Sequence, residues 1–199
     1  MKALVRALPG ALALAALVAA PTAAHAQLGW TLTFSPEAQG ATGSGSGVIT
    51  FNTTTKALFI RTTWTGLSGT TTVAHIHCCV TPPGTVGVAI GSFGGVAPNT
   101  IPGFPTGLSA GSYQRTIDLS NPGSFTNGFR NNNGGTAASA TTALITAMNA
   151  GRAYFNIHTN TFPTGEIRAF TVVAPEPSTY ALLAGGLSLV AAIGRRRRS

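Results

Sequence analysis

Acidic side chains are scarce in this 199-residue chain: Asp and Glu together number 4, against 12 Lys and Arg. Glu37, Asp118 and Glu166 are the three that lie outside the C-terminal tail, so a glycosidase built on two facing carboxylates would need distant points of the chain to meet by chance. Glu166 also has a structural partner close by in Arg168 or Arg152. No phosphate-binding loop or dinucleotide fingerprint is present. The Gly/Ser stretch 43–47 leads into a strand, not into the strand-to-helix elbow of a serine hydrolase. The formal charge of +8 does not mark a nucleic-acid binder either. Lys2, Arg6 and Arg195 to Arg198 lie at the two ends, and the remaining Lys56, Arg61, Arg115, Arg130, Arg152 and Arg168 form no run that would track a phosphate backbone. No nucleic-acid partner is expected. What polarity the central region has comes from Thr, Ser, Asn and Gly.

The ends read as addresses. Lys2 and Arg6 precede an Ala/Leu run from Ala11 to Ala20, and Ala24, His25 and Ala26 form a small-x-small cleavage site, so residues 1–26 read as a secretory signal peptide. At the other end Pro175, Glu176 and Pro177 precede an apolar run from Tyr180 to Ile193 and four arginines. Arginines beyond an apolar helix resist translocation, which leaves everything before them outside the inner membrane. The run is short against the roughly 20 residues that span a bilayer, which suits an anchor held only until processing. This order of motif, helix and basic stop over residues 174–199 resembles the PEP-CTERM sorting tail of Gram-negative bacteria. The resemblance implies an exosortase that cuts near Pro175–Pro177 and a protein that ends at the cell surface or beyond.

Between these segments, residues 27–173 read as one domain, long enough for a single core. Leu28–Phe34, Gly47–Asn52, Ala57–Trp64, Val73–Cys78, Val86–Ile90, Tyr113–Leu119, Ala153–Thr159 and Glu166–Val173 are short runs rich in β-branched and aromatic residues, bounded by Gly, Pro and Asn. About eight such strands predict a mainly β fold, an antiparallel, Greek-key-like β-sandwich or barrel. Thr53–Thr55 is placed as a hairpin turn. Leu144, Ile145 and Met148 at helical spacing, with Gly151 as C-cap, predict one short helix over Ala137–Ala150. The Gly/Pro-rich stretch Gly91–Gly111 is expected to be a long surface loop.

Two strands carry the chemistry. In His75-Ile76-His77-Cys78-Cys79, alternation puts His75 and His77 on one face and Ile76 and Cys78 on the other. In Tyr154-Phe155-Asn156-Ile157-His158 it groups His158 with Asn156 and Tyr154, opposite Phe155 and Ile157. The apolar residues take the core, so all three histidines fall on the other face, where a loop can roof them. If the strands are neighbours, the imidazoles converge within reach of one ion. The other readings are polar histidines on a wet face, and direct contact with polysaccharide or protein. Cys79 shares the histidine face and would add a soft ligand; alternatively Cys78 and Cys79 form a vicinal disulfide or pair with another chain.

The runs Ala74–Ile90 and Gly151–Phe170 resemble the two ends of a CHRD (chordin-type) domain, an extracellular module, and the likeness covers nearly all of residues 27–173. A more distant resemblance joins His75, His77 and the Gly151-Arg152…His158 motif to the copper ligands of copper/zinc superoxide dismutase. No bridging histidine, zinc-binding set or widely spaced cysteine pair accompanies them. What survives is a three-histidine site suited to copper or zinc. Two functions follow from different classes. One is a non-enzymatic surface module associated with exopolysaccharide or matrix proteins. The other is a copper- or zinc-binding domain using His75, His77, His158 and either Cys79 or water.

Overall fold

Period-two alternation builds the domain strand by strand. In the computed structural model, which describes residues 27–91, 99–174, 185–186 and 194–195, β1 (Gln27–Pro36) buries Trp30, Leu32 and Phe34 while Thr31 and Thr33 face outward. β2 (Ser44–Asn52) and β3 (Ala57–Thr65) bury Ile49, Phe51, Leu58, Ile60 and Trp64 on the same side. Asn52 sets the hairpin between them: its Oδ1 accepts from the amides of Thr54 and Thr55, both at 2.9 Å.

The remaining strands are β4 (Thr71–Cys78), β5 (Val88–Ile90), β6 (Gly111–Asp118), β7 (Ala153–Thr159), β8 (Ile167–Phe170) and β9 (Val172–Val173). All neighbours are antiparallel, in the order β5-β4-β7-β8-β1-β2-β3-β6, with β9 beside β1. The sheet curls into a half-barrel because β1 serves both halves. Gln27 to Phe34 pair with β2, and Ser35 and Pro36 with β8. Phe34 meets Phe155 of β7 edge-on at 5.7 Å across the core.

Three elements depart from the sequence expectation. The run expected as one strand over Glu166–Val173 is two, because Thr171 turns inward. Its Oγ1 donates to the carbonyls of Met148 (3.0 Å) and Ala153 (3.3 Å), and the chain beyond it crosses to pair with β1. A second helix, α1 (Asn127–Asn132), precedes the expected one; its first turn is capped by Thr126 Oγ1. The expected helix is α2 (Ala137–Asn149), closed at its start by a capping box of Thr136 and Ser139 and followed by Gly151 at φ 66°. The Gly/Pro stretch is not wholly superficial. Ile101 and Phe104 are buried, and the amides of Ile101 and Gly107 donate to Ala74 O and Thr71 O at 2.9 and 2.8 Å. The stretch thus covers an edge of β4 that would otherwise be open.

The signal segment 1–26, the Pro175-Glu176-Pro177 motif and, apart from residues 185–186, the expected membrane helix over 180–193 lie outside the described residues. Among the described residues no helix is long and apolar enough to cross a membrane.

Candidate metal centre

β4 and β7 pair directly. The register sets His75 opposite Asn156, His77 opposite Tyr154 and Val73 opposite His158. Side chains on the face away from the core therefore interleave across one strand pair, and a ring nitrogen from each of His75, His77 and His158 lies within 4.8 Å of the others. This face is not wet. All seven residues of β7 are buried, His75 and His158 are 6% and 8% exposed, and the segments that carry Val86, Asn99 and Pro163 form the roof.

The roof fixes the proton on each ring. His77 Nδ1 lies 2.7 Å from the carbonyl of Val86, and His158 Nδ1 lies 2.8 Å from that of Pro163. His75 Nε2 contacts the carbonyl of Asn99. A carbonyl oxygen only accepts, so each of these nitrogens carries the hydrogen and the other nitrogen of each neutral ring presents a lone pair. Those of His75 (Nδ1) and His158 (Nε2) face each other at 3.0 Å with no proton to share between them. His77 Nε2 is buried and has no hydrogen-bond partner among the described residues. Imidazoles that donate one nitrogen to a backbone carbonyl and aim the other at a common point are arranged as metal ligands are. Bonds of about 2.0–2.1 Å to one tetrahedral ion would require a pair 4.8 Å apart to close by roughly 1.4 Å.

Electrostatics keep these lone pairs free. Burial pushes His75 down to about 4, against the opposing pull of the Asn99 carbonyl, and the neighbouring His158 and His77 lower it further. Burial likewise lowers His77, partly offset by the Val86 carbonyl. Both rings are neutral near pH 7, the state that binds metal. In the metal-free protein this has a pH consequence. An unfolded His75 takes up a proton below about pH 6.5, whereas the folded one resists until about 4, so the unfolded state binds more protons across that window and stability falls as pH drops through it. The loss is expected to be on the order of 3 kcal/mol. Urea midpoints measured from pH 7 to 4 check it; a His75→Gln variant should show a flatter profile, and an unchanged slope would refute the assignment.

Around the histidines lies a polar layer, of which strand alternation reveals only part. Asn156 Nδ2 donates to Glu37 Oε2 at 2.7 Å, and Arg168 pairs with Glu37 Oε1 at 3.3 Å. Arg168 also donates to the carbonyls of Gly84 (3.2 Å) and Pro83 (2.7 Å), which ties down the segment that holds Val86 over His77. The Tyr154 ring stacks on His77 at 4.7 Å between centroids. Alternation had put Asn156 and Tyr154 on the face of His158, but nothing local flags Glu37, which arrives from the far end of β1. Arg168 therefore serves Glu37, not Glu166. Cys78 and Cys79 are joined as a vicinal disulfide. Cys78 packs in the core, and with its sulfur bonded to that of Cys78, Cys79 offers no thiolate to an ion.

Residues 28–170 match the CHRD domain family, and residues 173–198 match the PEP-CTERM protein-sorting motif. Comparison with curated proteins and with solved structures finds no match.

Proposed function

This chain belongs to the CHRD domain family and carries a PEP-CTERM sorting motif, which makes it an exosortase-sorted protein of the cell exterior, and we propose that its domain acts there as a copper- or zinc-binding module. The observation that carries the reading is the tautomer lock: three carbonyls hold one nitrogen each of His75, His77 and His158, leaving a lone pair on the other, in three rings that each bring a nitrogen within 4.8 Å of the others. Neutral imidazoles suit copper and zinc alike. Magnesium, which prefers oxygen ligands and keeps its water, does not fit. A sink or carrier needs no more than this.

Equilibrium dialysis of the protein against zinc or copper tests it. One equivalent should be bound by the wild type, and changing His75, His77 and His158 together to alanine should abolish it. Equal, weak uptake by both proteins would leave the second reading standing, a non-enzymatic surface module for exopolysaccharide or matrix. That reading is favoured by the outer face of β1 to β3, where Thr31, Thr33, Ser44, Ser46, Thr63 and Thr65 are all exposed and uncharged. Either way the tail sets the location. Changing Pro175, Glu176 and Pro177 to alanine is expected to leave the protein uncut and membrane-associated, read as a larger species in cell fractions. Normal processing of that variant would show that the motif is not what the enzyme reads.

A further inference from the structure

The three-histidine reading leaves one buried acceptor unexplained. Asn156 is 1% exposed, and its Oδ1 has no hydrogen-bond partner among the described residues. A buried amide oxygen without a donor costs about 1–3 kcal/mol, so its persistence needs a reason. Its orientation is not free to change. Nδ2 donates to Glu37 Oε2 at 2.7 Å, and a flipped amide would set oxygen against carboxylate. Glu37 is in turn held by Arg168, whose guanidinium sits 5.4 Å from the ring centroids of both Tyr154 and Phe170 and donates to two backbone carbonyls. Oδ1 is thereby turned away from Glu37, on a residue directly opposite His75 and two positions before His158.

Four acceptors therefore share one buried face: His75 Nδ1, His77 Nε2, His158 Nε2 and Asn156 Oδ1. No protein donor serves any of them among the described residues. A shared cation satisfies all four at once. Resting on the three-histidine reading, we infer that Asn156 Oδ1 is the fourth protein ligand of the ion, and that Glu37 and Arg168 are the positioning residues that aim it. Three imidazole nitrogens and an amide oxygen form a neutral, closed shell suited to zinc or copper(II). A catalytic zinc keeps a position open for water. A closed shell holds its ion instead, which fits storage or sequestration outside the cell better than turnover.

The test uses the full chain purified in detergent and stripped of metal. Zinc affinity is measured by competition with a chelator, and cobalt(II) is added separately as a spectroscopic probe of the ligand set. Asn156→Ala is expected to weaken zinc binding roughly 10- to 100-fold and to shift the cobalt absorption bands. Asn156→Leu, which keeps the volume but has no oxygen, should do the same and serves if the alanine variant does not fold. Glu37→Ala should weaken binding about 10-fold, whereas Glu37→Gln, which retains an acceptor for Nδ2, should stay near wild type. Wild-type affinity and an unchanged cobalt spectrum in both Asn156 variants would overturn the inference, while loss of binding in the histidine variants would keep the three-histidine reading intact. If the wild type binds neither zinc nor copper, both fall together.

Discussion

Zinc or copper added to the metal-free protein is expected to raise its Tm by about 5–10 °C. An ion that binds only the folded state, at a free concentration a hundred times its Kd, contributes about 2.7 kcal/mol. For a domain of this size each kcal/mol moves Tm by roughly 2–4 °C. The stabilisation comes from four groups that the metal-free fold leaves poorly served: lone pairs facing each other 3.0 Å apart, a buried His77 nitrogen and a buried amide oxygen. Calorimetric scans with and without a chelator read the effect. Changing all three histidines to alanine should remove the metal-dependent rise, and magnesium should produce none. A rise of equal size in the alanine variant would place the bound ion elsewhere.

Replacing Glu166 by alanine should cost about 3–5 kcal/mol, a large part of the 5–15 kcal/mol by which domains are stable. Its side chain is fully buried and accepts from three donors: the amide of Ser68, the amide of Gly69 at 3.3 Å and Thr159 Oγ1 at 2.6 Å. Removing it leaves all three without this acceptor, and those of Gly69 and Thr159 lie in the interior. The turn before β4 and the end of β7 are then untied, and the damage lies next to His158, so metal affinity should fall as well. Glu166→Gln keeps one accepting oxygen but turns an NH₂ toward amide donors, and is expected to recover only part of the loss. Urea unfolding curves of the three proteins order the effects. A Glu166→Ala midpoint within error of the wild type would show that these donors find other partners.

Much of the fold was legible in the sequence because alternation is a local signal. Trp30, Leu32 and Phe34, or Leu58, Ile60 and Trp64, announce both a strand and its inner face without knowledge of what they pack against. Leu144 and Met148 announce α2 in the same way. What stayed hidden depends on partners distant in the chain. Thr171 splits the last strand only because Met148 and Ala153 present carbonyls to it. α1 carries a single buried residue, Phe129, and so has no period to read. Ile101 and Phe104 are core residues within a loop whose glycines and prolines suggested surface.

The site divides along the same line. His75, His77 and His158 could be placed on one face from sequence alone, and the pairing of β4 with β7 then brings them together. The roof, with the three carbonyls that set the tautomers, belongs to tertiary structure. Glu37 lies 119 positions from the amide it orients. It takes Arg168 because Ser35 of β1 pairs with that residue across β8, a contact no local pattern could announce.

X-ray absorption at the zinc or copper edge of the loaded protein is the most direct measurement of the central claim. The expected spectrum has three imidazole nitrogens at about 2.0–2.1 Å, seen by their multiple scattering, and one oxygen completing the shell. A shell of water and carboxylate oxygens, or one containing sulfur, would contradict it.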